Sequence, residues 1–230
     1  MLVKYDLHIH SALSPCAEND MTPVNIVAYA KLNGLDMVAV SDHNAVQNVE
    51  VAMRAGEAFG VTVVPAIEVQ TSEDIHVLCL FGTYADLKAF YDALEFAKIK
   101  NKPEIFGEQL IIDEDDNVVG QLDDLLLVSS FVSSRDLPAI AKQFGGVAVA
   151  AHIDREANGM VQILGEVEEP YYAVELSTKA TAEEIEKYKK KYNVIIDSDA
   201  HTLESIGKNS VMELKENTAQ ALLDYLNKEV

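Results

Sequence analysis

The sequence has no tryptophan, only two cysteines, three arginines and no apolar run near the roughly 18 residues that span a bilayer. Two cysteines, Cys16 and Cys79, cannot build a disulfide framework, so a reducing cytoplasm is the expected setting. Residues 1–6 show no basic region leading into an apolar stretch, which excludes a signal peptide at this point. Positive charge is scarce: 18 Lys and Arg face 38 Asp and Glu, a net charge of −20. Such a surface repels nucleic-acid phosphates and anionic membranes, so no long nucleic acid and no membrane partner is expected. It says little about a small substrate, because bound cations can dominate the field inside a site. Also missing are a G-x-x-x-x-G-K-[ST] loop, a G-x-G-x-x-G fingerprint and a G-x-S-x-G elbow, and nothing sequence-local activates Cys16 as a nucleophile.

What the chain does have is material for one core. It runs to 230 residues, 49% hydrophobic and 24% charged, which suits a single globular domain over 1–230. Apolar strand candidates at 3–8, 37–40, 61–67, 75–81, 147–151, 173–176 and 194–196 mostly alternate with helical stretches. Thr22-Pro23 opens one helix and Asn33-Gly34 closes it. Other helices are expected at 46–59, 86–98 and 136–144, at 181–192 behind the capping box Thr181-x-x-Glu184, and at 218–228. The alternation lapses at 99–131, where an acidic turn, Asp113 to Asn117, lies between two short apolar runs and predicts an inserted β-hairpin. This pattern predicts an α/β fold with a parallel sheet of about seven strands, closed or nearly closed into a barrel.

The histidines organise the rest. A strand repeats its side-chain direction every two residues, so His8 and His10 face the same way and make half of a chelate. Of the six histidines, His8, His10, His43, His152 and His201 fall at or just past the C-terminal end of a strand; His76 stands near the start of one. Those strand ends form the mouth where β/α barrels build active sites. Asp42, Glu68 and Asp199 accompany them, as do Asp6, Asp154 and Asp197. A lone strand-end histidine is ordinarily structural, but five around one mouth point to a polynuclear metal site.

Asp6-Leu-His8-Ile-His10, Ser41-Asp42-His43-Asn44, Glu68, Ala151-His152 and Ser198-Asp199-Ala200-His201 resemble, in order, the motifs of the polymerase and histidinol phosphatase (PHP) family. The resemblance spans nearly the whole chain. It implies a distorted (β/α)7 barrel, here with the small hairpin insertion, and two to three divalent metal ions (zinc, manganese or iron). It implies that His8, His10, Asp199 and Glu68 hold a first metal. Glu68 bridges to a second, held also by His76 and His152, and His43 and His201 hold a third. Three-metal members commonly carry a further histidine six residues after the H-x-H pair; that position is Cys16 here, which either supplies a thiolate ligand or leaves the third site weakened.

The implied activity is that of a metal-dependent phosphoesterase, with a metal-activated hydroxide attacking a small phosphomonoester. Asp42 is expected either to orient a metal-bound histidine or to cap the following helix. Among the arginines Arg54, Arg135 and Arg155, the last lies three residues past His152 and is the candidate phosphate clamp, against a surface salt bridge; Lys179 is a second cation at the mouth. The alternatives are a nucleotide phosphatase or nuclease of the same family, a non-catalytic metal-binding regulatory module, and an amidohydrolase. The last usually requires a metal-bridging lysine at a strand end, and none stands there. Substrate choice is expected in the mouth loops 11–21, 153–170 and 99–131. Nothing in the sequence indicates an oligomeric state.

Overall fold

A computed structural model of the protein describes residues 1–167, 169–207 and 209–230, so residue 168 of the mouth loop 153–170 lies outside the described residues. In chain order the elements are β1 (Leu2–Ile9), α1 (Pro23–Leu32), β2 (Met37–Val40), α2 (Val49–Phe59), β3 (Thr62–Gln70), β4 (His76–Leu80), α3 (Tyr84–Ala93), α4 (Pro103–Phe106), β5 (Leu110–Ile112), β6 (Val118–Gln121), α5 (Leu137–Gln143), β7 (Val147–Ala150), α6 (Met160–Leu164), β8 (Ala173–Ser177), α7 (Ala182–Tyr188), β9 (Asn193–Asp197), β10 (Val211–Glu213) and α8 (Ala219–Leu226). Eight strands form one sheet in the order β10-β1-β2-β3-β4-β7-β8-β9, and β5 and β6 form the expected hairpin apart from it. The sheet curls until the chain past β9 meets β1. Past the end of β1, His10 N–H donates to Ala200 O (2.9 Å) and Ala200 N–H to His8 O (3.2 Å). Side chains finish the seam: Asp197 Oδ1 accepts from Leu7 N (2.6 Å), and Asp6 accepts from Ser198 N and Oγ.

The sheet is not wholly parallel, as the alternation implied. β4 runs antiparallel to both β3 and β7. The physical reason is connection length. Only residues 71–75 join Gln70 to His76, whereas a parallel return needs a crossover of a dozen residues or more. This reversal settles the odd position of His76: the start of an antiparallel strand lies at the same end as the C-termini of its neighbours.

Local chemistry accounts for most element ends. The Thr22 side chain accepts from Asn25 N at the start of α1, and Thr181 and Glu184 form the expected box at α7. α3 stops at Ala93, short of the expected 98, because the following residues turn to bridge the insertion, Phe96 with Ser130 and Lys100 with Asp124. α2 starts at Val49 rather than 46, after Asn48, whose amide is committed to the insertion through Ile112 N and Leu110 O. The short α4, α6 and β10 carry too little periodicity to be read in advance.

Alternate strand residues divide between two sides. Val3, Tyr5, Leu7, Met37, Ala39, Val64, Ala66, Leu78, Leu80, Val149 and Ile195 fill the barrel interior, and Leu222, Leu223 and Leu226 of α8 close its lower end. Outward residues such as Ile67, Val77 and Val174 pack beneath α3 and α5, against Phe90 and Leu137. Among the described residues no helix is long and apolar enough to cross a membrane.

Candidate metal centre

Above this apolar filling, the inward strand positions change character. Glu68 follows Val64 and Ala66 along β3, His76 stands above Leu78 and Leu80 on β4, Glu175 follows Ala173 on β8, and Asp197 follows Ile195 on β9. β1 reaches the same level through an irregularity. Its pairing with β2 slips between Asp6 and Ile9. Leu7 thus packs inside, Ile9 packs outside against the α1 cluster, and His8 and His10 are both delivered to the mouth. Re-aiming side chains in this way is a common use of a bulge.

Glu68 is the hub. Its Oε1 lies 3.2 Å from His8 Nε2, 2.9 Å from His76 Nδ1 and 3.1 Å from His152 Nε2. Its Oε2 lies 2.7 Å from His43 Nδ1 and 3.5 Å from His10 Nε2. The five imidazoles close a ring around it, with successive centroids 5.1 Å (His8–His10), 4.4 Å (His10–His43), 5.1 Å (His43–His76), 5.3 Å (His76–His152) and 5.7 Å (His152–His8) apart. Asp199 Oδ1 closes on His10 Nε2 at 2.8 Å and His8 Nε2 at 3.5 Å, and the His201 ring stacks 4.4 Å from that of His10. Three overlapping groups offer ligand atoms close enough for one ion each: His8, His10 and Glu68; His43, Glu68 and His76; and His10, His43 and His201. His10 and His43 thus each serve two groups, where the resemblance gave each a single metal.

The donor set fits metal ions. His8 Nε2 and His43 Nδ1 stand 3.2 and 2.7 Å from Glu68 oxygens, but among the described residues neither they nor Glu68 Oε2 make an aligned hydrogen bond, an arrangement costly enough that native structures seldom leave it unanswered. Burial alone would raise the Glu68 carboxyl; the His76, His8 and His43 imidazoles outweigh it and hold the group well below the usual carboxylate range. Burial and the neighbouring His43 push His10 well below the ordinary imidazole value, as a neutral ligand requires. Three non-glycine residues of the centre, Asn44, His152 and Asp199, have left-handed backbone (φ 47°, 29° and 51°), strain of the kind that clusters at functional sites.

Asp42 lies behind the centre, fully buried and off the cleft. It accepts from Ser11 N (2.7 Å), Ser11 Oγ (2.6 Å) and Ser14 Oγ (2.7 Å), and Ser14 Oγ lies 3.1 Å from His10 Nδ1. It does not cap α2, whose N-cap is Asn48. Asp6, Asp154 and Asp197 staple loops and the seam through backbone N–H groups instead of joining the cluster.

A cleft of about 970 Å³ opens over the cluster. Arg155 and Lys179 line it, together with acidic Asp154, Glu156 and Glu184. Arg155 Nη1 already contacts Asp199 Oδ2, and the Arg155 side chain is 40% exposed. Cys16 lines the rim between His43 and His201. Burial works to raise its thiol, but hydrogen bonds to His201 and His43 bring it down to about 7. Cys79 is a buried core residue of β4. From the insertion, Leu127 reaches the cleft. Its neighbours are held by Asn44, whose amide donates to Leu126 O (2.8 Å) and Val128 O (2.7 Å).

Sequence reasoning missed Glu175 and Ser14. Glu175 had a signal, an acid inside the apolar run Ala173–Ser177; Ser14 had none, because its role appears only once the 11–21 loop folds back on Asp42.

Comparison with known proteins places these observations in context. The sequence model of the PHP domain matches residues 6–226. A 5'-3' exoribonuclease of Haemophilus influenzae is 29% identical over 83 residues, and an uncharacterized protein of Methanocaldococcus jannaschii 33% identical over 79. These alignments span 35% and 31% of this chain, and only 29% and 46% of those proteins. Among solved structures, the lesion-specific endonuclease Q of Pyrococcus furiosus superposes with a TM-score of 0.69 at 19% identity, over 98% of this chain and 56% of that one. A structure assigned as a metal-dependent phosphoesterase from Bifidobacterium adolescentis gives 0.59 at 18% identity, covering 90% of this chain and 88% of that one. An amidohydrolase of Chromobacterium violaceum, solved with sulfate and no metal, gives 0.60 at 17%, covering 94% and 93%.

Proposed function

The chain belongs to the PHP-domain family, and on that premise we propose that it is a metal-dependent phosphoester hydrolase that cleaves a small phosphomonoester. The observation that carries this reading is Glu68, a buried carboxylate whose two oxygens divide a ring of five imidazoles between them. His8, His10 and Asp199 with Glu68 would hold one ion, Glu68 with His76 and His152 a second, and His43, His201 and Cys16 a third. Zinc, manganese or iron bound there supplies Lewis-acid charge to the phosphoryl oxygens and acidifies a water for attack on phosphorus.

The chain's own groups do the positioning. Arg155, anchored on Asp199 at one edge, keeps the rest of its guanidinium for phosphate oxygens, and Lys179 adds a second positive charge to the cleft. Asp42 holds Ser14, and Ser14 holds His10. Leu127 offers the leaving group an apolar contact. Only these two cations line the cleft among the described residues, against three acids at its rim and a net charge of −20. That balance favours a small substrate over a polyanion.

The fold likeness to an endonuclease favours a second reading, a nuclease or nucleotide phosphatase built on the same centre. One experiment separates them. The protein loaded with zinc, manganese or iron is tested on an aryl phosphate, a panel of small monoesters including mononucleotides, and single-stranded and duplex DNA. Turnover of monoesters with no cleavage of DNA supports the small-substrate reading, and preferential cleavage of DNA overturns it. His10→Ala is expected to abolish activity while leaving the fold intact. Fewer than one bound equivalent of metal in the wild type would sink the metal centre and favour a non-catalytic reading.

A further inference from the structure

The upper layer of the barrel holds one carboxylate that none of these roles uses. Glu175 is fully buried on β8, and its Oε2 lies 2.8 Å from His8 Nδ1. No lysine or arginine pairs with it among the described residues, and its Oε1 has no hydrogen-bond partner. Asp197 on the neighbouring strand likewise leaves Oδ2 without one. Nothing about β8 as a strand calls for such a group, since Ala173, Val174 and Leu176 supply its packing on both faces. A buried carboxylate with an imidazole as its one polar contact among the described residues is a costly group for a core to carry.

Its geometry gives it a use. With Nδ1 engaged by the Glu175 oxygen, Nε2 is the ring nitrogen left to act as a ligand, and it faces Glu68 Oε1 and Asp199 Oδ1. The other rings are held differently: His10 Nδ1 meets the neutral Ser14 hydroxyl, and His152 Nδ1 has no partner. We propose that Glu175 is the positioning residue of His8, fixing its tautomer and ring angle and making Nε2 the strongest imidazole donor of the centre. The consequence is local: the ion shared by His8, His10, Glu68 and Asp199 depends on Glu175, and the others do not. The proposal rests on the metal-centre reading above.

The test is zinc binding by the full chain, measured by competition with a chromophoric chelator. The variants are Glu175→Ala, Glu175→Gln and Glu175→Leu, the last keeping most of the volume. Loss of the carboxylate is expected to weaken one equivalent by about 10- to 100-fold and leave the others unchanged. Gln, which keeps an acceptor oxygen, should restore most of the affinity. Urea unfolding of the metal-free variants reports the fold separately, and Leu stands in if Ala does not fold. Isotherms matching the wild type, equal weakening of every equivalent, or Gln no better than Leu would each overturn the role of Glu175. A wild type that binds less than one equivalent overturns the centre itself.

Discussion

Asn44 ties the insertion to the metal centre, and replacing it with alanine should be costly. Its side chain is buried and donates to Leu126 O and Val128 O; its Oδ1 accepts from Gln70 N at 3.0 Å. Leu126 O keeps a second donor, Val128 N. Among the described residues no other partner for Val128 O or for the half-buried Gln70 N is seen, and each such group left unsatisfied costs about 1–3 kcal/mol. The backbone adds to this, because φ is +47° and alanine in left-handed geometry costs about 1–2 kcal/mol. The sum is about 3–8 kcal/mol, a large share of the roughly 5–15 kcal/mol that holds a domain folded. Urea unfolding followed by circular dichroism should show the midpoint falling by on the order of 1–3 M. Asn44→Gly loses the same hydrogen bonds but tolerates the backbone, so it should recover about 1 kcal/mol of the deficit. Limited proteolysis should find its first new cuts within 99–131. A loss below about 1 kcal/mol for Asn44→Ala, or Gly no better than Ala, would refute the accounting.

Two further outcomes follow from other sites. A Cβ at Gly146 would collide with the Phe81 ring in the core, so Gly146→Ala should lower stability by about 1–3 kcal/mol in the same unfolding assay, while Gly145→Asn, where nothing lies within reach, should cost far less. In the metal-free protein the Cys16 thiol, held down to about 7, gains thiolate as pH rises through neutrality. Its alkylation by iodoacetamide should have a midpoint near pH 7 and slow when metal is added, whereas Cys79, pushed up by burial, should stay unmodified in the folded state.

Much of the architecture was legible because local signals agreed with it. Thr22-Pro23, the Thr181 box and the acidic turn at Asp113 each did locally what their residue types favour. The histidines were legible for the same reason: a residue placed just past a strand end needs no tertiary knowledge to be put at a barrel mouth. What failed depended on distant partners. The direction of β4 is decided by a five-residue connection and by pairing with β7 on its far side. The length of α3 is decided by a pairing more than 30 residues ahead, and Ser14 acquires its role only by meeting Asp42 and His10 together. Glu175 stands in an apolar strand, and its partner appears only when His8 of β1 reaches it across the barrel.

The seam that closes the barrel also sets the order of assembly. Leu7 and Asp197, joined across it, are 190 positions apart, and His8 and His10 meet Asp199 only through the same closure. In synthesis His10 emerges 189 residues before Asp199, the carboxylate that it meets. Contacts of such long range form late and slow folding. On the proposed reading, metal capture would be an event of the finished barrel, and a bound ion would lock a closure that the chain must first reach unaided.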